Sequence, residues 1–186
     1  LEKPEPGWDY VAGLDLGINH DHSAAVVVGA NAVFNRARVA LAEAWVPTVP
    51  NDRGVNEVDV DAVERECLAL SKRFRITWFG YDPAAGGSAM AQRLRRGGVP
   101  MREVSFSSPK NLSDMATAFV TALKDGRLEC YEDGEGRLRR DFGKFGIVAK
   151  LPSGYRLEAV SDEYGHADVG TALVICLPTA LRMMGG

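Results

Sequence analysis

The sequence predicts an α/β domain in which a mixed sheet, an antiparallel meander plus parallel strands, is flanked by helices. Three segments with strand character follow one another near the N-terminus, and helical and strand patterns alternate after them. Hydrophobic residues make up 46% of the 186 residues, which suits one globular domain with an ordinary core. We therefore expect a single domain over residues 1–186, with residues 1–9 as a lead segment.

The meander is predicted from three apolar runs with short connections. Residues 10–16 and 23–29 are rich in Val, Ala and Leu, and the segment between them suits a tight connection. Residues 38–47 alternate well enough between apolar and polar side chains to form a third strand. Consecutive strands joined in this way pair antiparallel.

Helices and strands then alternate along the rest of the chain. Residues 51–57 read as a polar loop, and a short apolar-aromatic run that ends at Asp82-Pro83 is typical of a buried strand. Residues 134–155 are rich in Gly and basic residues, and they predict a basic hairpin excursion from the domain. The expected elements after the meander are a helix over 58–74, a strand over 76–81, a helix over 86–96, a strand over 99–104, a helix over 108–123 and a final helix over about 164–181.

Composition and motifs exclude several classes of protein. The longest apolar run, residues 172–177, is far shorter than the roughly 20 residues that span a bilayer, so we expect no membrane role. The three cysteines lack the CxxC spacing of zinc and redox sites, which favours ordinary thiols. No GxxxxGK[ST] phosphate-binding loop occurs, so ATP hydrolysis is not expected of this chain. Because the chain starts at Leu1 and has no signal-peptide pattern, we expect it to be a piece of something longer.

Three acidic residues stand in apolar sequence, where a carboxylate is costly to bury unless it is paired, protonated or bound to a metal. Asp15 lies in the predicted first strand, Asp82 at the end of the strand WFGYDP, and Asp168 at the start of the last helix. Each has an ordinary alternative. Asp15 suits a turn or a bond to backbone amides, Asp82 a turn-forming Asp-Pro, and Asp168 a surface acid in a helix's first turn. Asp162 and Glu163 are nearby substitutes for Asp168.

A suitable strand order would bring these three acids together. If the first strand is central and the fourth lies beside it, Asp15 and Asp82 meet at the same end of the sheet, and the last helix lays Asp168 across them. Clustered carboxylates without Cys or a His trio favour Mg²⁺ or Mn²⁺ over zinc. Asp21, in the loop after the first strand, is a candidate accessory ligand. The histidines left out of the predicted ligand set are His20, His22 and His166.

The net charge of −3, from 22 basic and 25 acidic residues, hides local excesses of bases. Residues 92–102 contain arginines and no acid, although arginines on a surface helix commonly face solvent or screen a neighbour's acids. Residues 137–150 carry their bases against Asp141 alone, which suits contact with a phosphate backbone near an acidic cluster. Lys110 adds a base at a predicted helix start, where phosphate is favoured. The candidates for DNA contact, to backbone and shape rather than sequence, are Arg137, Arg139, Arg140, Lys144, Lys150 and Lys110.

Several motifs together resemble a known family. GLDLG followed by the strand SAAVVVG, then YDPAAGG after a strand, then the terminal GHADVGTALVICL, resemble a ribonuclease H-like nuclease. They are more closely similar to the C-terminal nuclease domain of the large subunit of tailed-phage DNA-packaging terminases, and the likeness covers residues 13–177. The resemblance implies a metal-dependent endonuclease for double-stranded DNA. It further implies that Asp15 bridges two Mg²⁺ or Mn²⁺ ions, with Asp82 holding one of them and Asp168 the other.

The resemblance also implies partners and a location. The nuclease of that family works with an ATPase motor domain, which is absent from this chain, and with other packaging proteins such as the portal and the small terminase subunit. The implied location is the cytoplasm of the infected bacterial host. Two alternatives stay open: a Holliday-junction resolvase-like, structure-specific nuclease, and a non-catalytic DNA or protein docking domain with the same fold. Sugar kinases and actin-like ATPases also start with GxDxG, but the second phosphate loop that they need is missing.

Overall fold

A mixed β-sheet with helices on both faces makes up this protein, seen in a computed structural model that describes residues 3–17, 22–84, 86–131, 136–149, 155–159 and 166–185. In these ranges the strands are β1 (Asp9–Asp15), β2 (Ser23–Asn31), β3 (Arg36–Trp45), β4 (Val49–Pro50), β5 (Asn56–Glu57), β6 (Trp78–Tyr81), β7 (Met101–Glu103), β8 (Leu128–Glu129), β9 (Phe145–Ala149) and β10 (Tyr155–Ala159). The helices are α1 (Val60–Phe74), α2 (Gly87–Arg96), α3 (Pro109–Lys124), α4 (Arg137–Gly143) and α5 (Asp168–Met183). Of the helices in these ranges, none has both the length and the apolar character needed to cross a membrane.

The main sheet has six strands in the order β7-β6-β1-β2-β3-β8. Strands β1, β2 and β3 pair antiparallel in succession and form the predicted meander. Strand β6 is parallel to β1, and β7 is parallel to β6. The predicted fold class, an α/β mixed sheet flanked by helices, is therefore confirmed. Strand β6 lies beside an internal β1, which is the strand order needed to bring Asp15 and Asp82 to the same end of the sheet.

The structure adds or changes elements in three segments, and it begins the last helix at Asp168 rather than at about residue 164. Strand β8 was not predicted, and it pairs parallel with β3 through two residues, too few to leave a periodic pattern. The predicted polar loop over 51–57 ends in β5, which pairs with β4. The interval 134–155 was predicted as a hairpin, but 137–143 forms helix α4, and the antiparallel pair of β9 and β10 follows. The helix forms because Leu138 and Asp141, spaced at one helical turn, are both buried against the rest of the domain.

Alternation along the strands gives the sheet two buried faces. In β1, Tyr10, Ala12 and Leu14 pack in the cluster that contains α1 and α2, whereas Val11 packs in the cluster that contains α3 and α5. The same alternation puts Asp15, two residues beyond Gly13, on the α5 face. The three helices α3, α4 and α5 thus share a face with the carboxyl end of β1.

Helix α5 lies unusually close to the sheet because glycines leave room for it. A Cβ at Gly13 would overlap the carbonyl oxygen of Ala172, and a Cβ at Gly80 would overlap the side chain of Ile175. Any side chain at Gly13 would therefore push the helix backbone away from β1. This close contact fixes the height of α5 above the two strands that end in Asp15 and Asp82.

Candidate active site

Asp15 and Asp82 lie next to each other at the carboxyl edge of the sheet. Leu14 of β1 is paired with Tyr81 of β6 in parallel register, and an aspartate comes next in each case: Asp15 is the last residue of β1, and Asp82 directly follows β6. Parallel neighbours present the same end to the same edge, which is why two acids far apart in sequence meet here. The structure thus brings together the two strand-end acids that the sequence singled out.

The backbone around Asp82 is held by the loop that follows β7. The Val104 N–H donates to the carbonyl oxygen of Tyr81 at 2.8 Å, and the Phe106 N–H donates to Asp82 Oδ1 at 3.3 Å. One carboxylate oxygen of Asp82 is therefore fixed by a backbone amide. Asp82 is half-buried and directly follows β6, and the bend and turn of the chain come after it, at Pro83 and Ala84.

The edge beside Asp15 is tied by a buried serine. Asp15 is paired with Ala24 of β2, and the neighbouring Ser23 Oγ donates to the Gly17 carbonyl oxygen at 2.7 Å. Ser23 is fully buried, so this bond fixes the chain on both sides of the connection between β1 and β2. Asp21, the predicted accessory ligand, and His20 lie outside the described residues, and their roles stay predictions.

Asp168 is the first residue of α5 and is buried, with 7% of its surface exposed. Ala172, one helical turn later, touches β1 at Gly13, so Asp168 lies beyond Gly13 in the direction of Asp15. Its Oδ2 is 3.8 Å from Nδ1 of His22, the residue just before β2. This burial contradicts the alternative of an ordinary surface acid. His22, which the sequence analysis left out of the predicted ligand set, is therefore a neighbour of Asp168.

A small pocket of about 60 Å³ opens beside Asp168, and bases dominate its walls. Helix α4 supplies Arg137 and Arg140, and Lys144 directly follows the helix; these bases recur at helical spacing and so share one face, which also carries Asp141. Arg139 is exposed and does not line the pocket. The other basic residues of the wall are His22 and His166. A positive pocket next to a buried acid suits a phosphate group of a substrate held near Asp168.

Lys144 is buried beneath this pocket rather than displayed on the surface. Its Nζ is 4.0 Å from Asp141 Oδ1 and donates to the carbonyl oxygen of His166 at 3.4 Å. Burial raises the pKa of Asp141, and bonds from the Gly170 N–H, the nearby Lys144 charge and the Val169 N–H act in the opposite direction. Sequence reasoning noted Asp141 only as an isolated acid among bases. Its spacing from Lys144, one helical turn, was the available signal.

The remaining predicted basic contacts lie elsewhere or outside the described residues. Lys110 is exposed, pairs with Asp114 and lines a separate pocket of about 240 Å³ that also includes Arg182. Arg93, from the other basic stretch, forms an ion pair with Glu64 of α1, with Nε 2.9 Å from Oε2, which is the screening role that the sequence left open. Lys150 lies outside the described residues. The structure therefore brings Arg137, Arg140 and Lys144 to the acidic edge and does not bring Lys110 there.

The donor set at this edge has the chemistry that a hard divalent cation requires. Asp15, Asp82 and Asp168 supply carboxylate oxygens, which Mg²⁺ and Mn²⁺ prefer. Within the described ranges, however, no group of three His, Cys, Asp or Glu side chains is arranged to hold a metal ion. The residues fit a divalent cation by type.

Comparisons with known proteins identify structures with this fold. Neither a protein-family model nor a curated protein matches the sequence. The large terminase nuclease from thermophilic phage G20c with bound magnesium is 17% identical, with a TM-score of 0.68, and the match covers 96% of this chain and 84% of that chain. The large terminase nuclease domain from bacteriophage SPP1 with bound Mn is 15% identical, with a TM-score of 0.56, and the match covers 90% of this chain and 86% of that chain.

A longer protein contains the same fold as one part of its chain. The large terminase of bacteriophage HK97 is 16% identical, with a TM-score of 0.73, and the match covers 96% of this chain and 41% of that chain. This chain thus spans less than half of the length of the HK97 protein. The predicted ribonuclease H-like fold is confirmed, and by that fold this chain is similar to the nuclease domains of large terminases.

Proposed function

We propose that this domain is a metal-dependent endonuclease that cleaves double-stranded DNA, as the nuclease portion of a terminase large subunit acting in viral genome packaging. The observation that carries the proposal is the position of Asp15, Asp82 and Asp168 on one face at one edge of the sheet. The fold supports it, since the similar nucleases of phages G20c and SPP1 were solved with bound magnesium and Mn.

The three aspartates are the residues that would hold the metal. In this proposal two Mg²⁺ or Mn²⁺ ions would be held by the three aspartates, with Asp15 as a ligand common to both, Asp82 and Asp168 as a ligand of one each, and Asp21 as an accessory ligand. When bound, the ions supply Lewis acidity that stabilises charge on the attacking and leaving oxygens of a phosphodiester. The protein keeps Asp82 oriented through the Phe106 amide and keeps Asp168 oriented through α5.

The basic residues of α4 would hold the DNA backbone against this edge. Arg137 and Arg140 line the pocket beside Asp168, where a phosphate next to the scissile group would meet two guanidinium groups. Lys144, buried beneath the pocket, adds a further positive charge. Contacts of this kind hold any sequence equally well, so we expect cleavage with little base preference. Arg139, Lys110 and Lys150 are proposed as outer contacts to the same backbone.

The proposal also assigns partners and a location. As part of a terminase large subunit, the domain would act beside an ATPase motor domain, and it would work with the portal and the small terminase subunit. The HK97 large terminase, of which this chain matches 41%, has the length that such a second domain requires. The proposed location is the cytoplasm of the infected bacterium.

A plasmid-nicking assay tests the proposed activity. Supercoiled DNA is incubated with the protein in Mg²⁺ or Mn²⁺, with EDTA as the metal-free control. We expect Asp15→Asn, Asp82→Asn and Asp168→Asn each to lose cleavage by roughly 100-fold or more, the scale for losing a group that stabilises transition-state charge. Asp9→Asn is the matched control, because Asp9 is an exposed acid at the opposite end of the same strand β1. Full cleavage by Asp15→Asn or Asp82→Asn would contradict the assignment.

Two further readouts separate the alternatives. A resolvase-like nuclease would cut four-way junctions in preference to linear duplex of the same sequence, whereas the proposed activity cuts both. A docking domain would bind DNA without cutting it at any metal concentration, and calorimetry with Mn²⁺ would give no binding signal. A heat of Mn²⁺ binding that is measured with the unmodified chain and disappears in Asp168→Asn would support the nuclease.

A further inference from the structure

Helix α5 begins without a capping side chain of its own. The residue at the capping position is Ala167, which has no side-chain acceptor. The first backbone N–H groups of a helix have no partner within the helix, and in a buried position they need an acceptor from elsewhere. Here the acceptor is Asp141 of α4. Its Oδ2 receives the Val169 N–H at 2.9 Å and the Gly170 N–H at 3.1 Å, and these bonds are buried.

We infer that Asp141 is a positioning residue that holds the first turn of α5, and with it the Asp168 carboxylate, in place for metal binding. The inference rests on the proposed function of Asp168. Val169 and Gly170 directly follow Asp168, so a carboxylate fixed to both amides fixes the backbone that carries the acid. Asp141 also lines the wall of the pocket beside Asp168, and its proposed role is to hold the α5 amides rather than to bind the metal.

Lys144, which directly follows α4, adds a contact with His166 in the segment that precedes α5. One turn after Asp141, it donates to the carbonyl oxygen of His166, and its charge lies 4.0 Å from Asp141 Oδ1. The two side chains thus hold donors and acceptors on both sides of Ala167. Because Lys144 is buried with Asp141, the carboxylate has a nearby positive charge that makes its burial tolerable.

Packing around Gly170 shows that the approach of α4 to α5 is close. A Cβ at Gly170 would lie 2.8 Å from the Phe145 ring and 3.2 Å from the Asp141 Cβ. The Phe145 ring is in turn packed edge-on against Phe119 of α3, with ring centroids 5.4 Å apart. Phe142 of α4 packs on the same Phe119 ring, with centroids 5.3 Å apart, so aromatic contacts hold the end of α4 and the start of β9 while Asp141 reaches the amides. A larger residue at position 170 would break the same arrangement from the other side.

The test compares three variants of α4 in the whole chain. Asp141→Ala removes the acceptor, and Asp141→Asn keeps an acceptor oxygen of the same reach without the charge. Leu138→Ala is the matched control, since Leu138 is a buried residue of the same helix, and its loss weakens packing without touching the α5 amides. The readouts are amide hydrogen exchange of Val169 and Gly170, Mn²⁺ affinity by calorimetry, and kcat and KM for plasmid nicking.

We expect Asp141→Ala to speed exchange at Val169 and Gly170 by tenfold or more relative to Leu138→Ala. Mn²⁺ affinity and kcat should fall by roughly 10-fold to 100-fold, the range for residues that orient metal ligands, with KM for DNA unchanged. Asp141→Asn should recover most of the loss. Equal effects of Asp141→Ala and Leu138→Ala, or equal losses in Asp141→Ala and Asp141→Asn, would overturn the inference.

The exchange readout separates this inference from the proposed function. If the unmodified chain cuts no DNA with Mn²⁺, the proposed function fails, whatever Asp141 does. Unchanged exchange at Val169 and Gly170 in Asp141→Ala overturns the positioning role even if the nuclease is active.

Discussion

The acidic edge of this domain is built from two regions that are held in different ways. Asp15 ends β1 and Asp82 directly follows the parallel strand β6, and the register of these two strands puts the aspartates side by side. Asp168 begins a helix, and no backbone ladder links it to the strands. Its position depends on the seating of α5 against Gly13 and on Asp141 of α4.

This difference shows which part of the site tolerates single substitutions and which part is sensitive to them. Sheet register is shared among many hydrogen bonds, so a change at a single side chain leaves Asp15 and Asp82 in place. The helix end depends on a few contacts, and each of them has a side chain or a glycine that can be changed. Substitutions at these contacts should therefore change the position of Asp168 and leave Asp15 and Asp82 in place.

The largest effect is expected from Gly13→Ala, which disrupts the contact between the two regions. The added Cβ would overlap the Ala172 carbonyl oxygen, which belongs to the helix backbone and cannot rotate away. We expect a loss of about 3 kcal/mol in the free energy of unfolding, the upper end for overpacking a core, measured by urea unfolding. Gly143→Ala is the control, because a Cβ there has no neighbour within 4 Å. Equal stability of Gly13→Ala and the unmodified chain would contradict the tight seating of α5.

Next in size is the stabilisation that a metal should provide by joining the two regions. At 100 times its dissociation constant, a ligand that binds only the folded state adds about 2.7 kcal/mol to the free energy of unfolding. We expect Mn²⁺ to raise the melting temperature accordingly and EDTA to reverse it. Asp168→Asn should lose most of the shift, whereas Asp9→Asn should keep it. A shift of the same size in Asp168→Asn would exclude Asp168 from the metal site.

The fold and the strand-end acids were predictable from the sequence, and the support of the helix end was not. GLDLG and WFGYDP carry apolar strand patterns that end in an acid, and a central first strand is enough to bring the two together. Asp168 was predictable as an acid near the start of a long apolar helix, although the sequence started that helix at about residue 164 rather than at Asp168. Each of these signals is local, because it depends on neighbours within a few residues.

The features that the sequence did not reveal depend on contacts between distant segments. Asp141 lies in a stretch whose Gly and basic residues predicted a hairpin, and its partners Val169 and Gly170 come much later in the chain. The pocket formed by one face of α4 depends on that stretch being helical. Strand β8 depends on pairing with β3, since two residues have no pattern of their own.

A smaller effect should distinguish the two faces of α4. Arg137 and Arg140 line the pocket beside Asp168, whereas Arg139 is exposed away from it. We expect the double variant Arg137→Ala/Arg140→Ala to weaken DNA binding about tenfold, or about 1.4 kcal/mol, and to flatten its salt dependence. Fluorescence anisotropy in EDTA at several salt concentrations measures both. Arg139→Ala should change affinity less than the double variant does, and an equal loss would show that the pocket has no special part in binding.

The smallest effect is expected on the far face of the sheet, where α1 is capped in the usual way. Asp59 directly precedes the helix, and its side chain accepts the Ala62 N–H at 2.9 Å. Asp59→Ala should cost about 1 kcal/mol of stability, the typical value for a lost cap, measured by urea unfolding. Asp61→Ala, a change to an exposed acid in the same turn, should cost less. Because α1 packs on the face opposite to Asp168, cleavage per folded molecule should be unchanged in both variants. A fall in cleavage with Asp59→Ala would mean that capping any helix affects the site, and the distinction between the local cap of α1 and the distant cap of α5 would be lost.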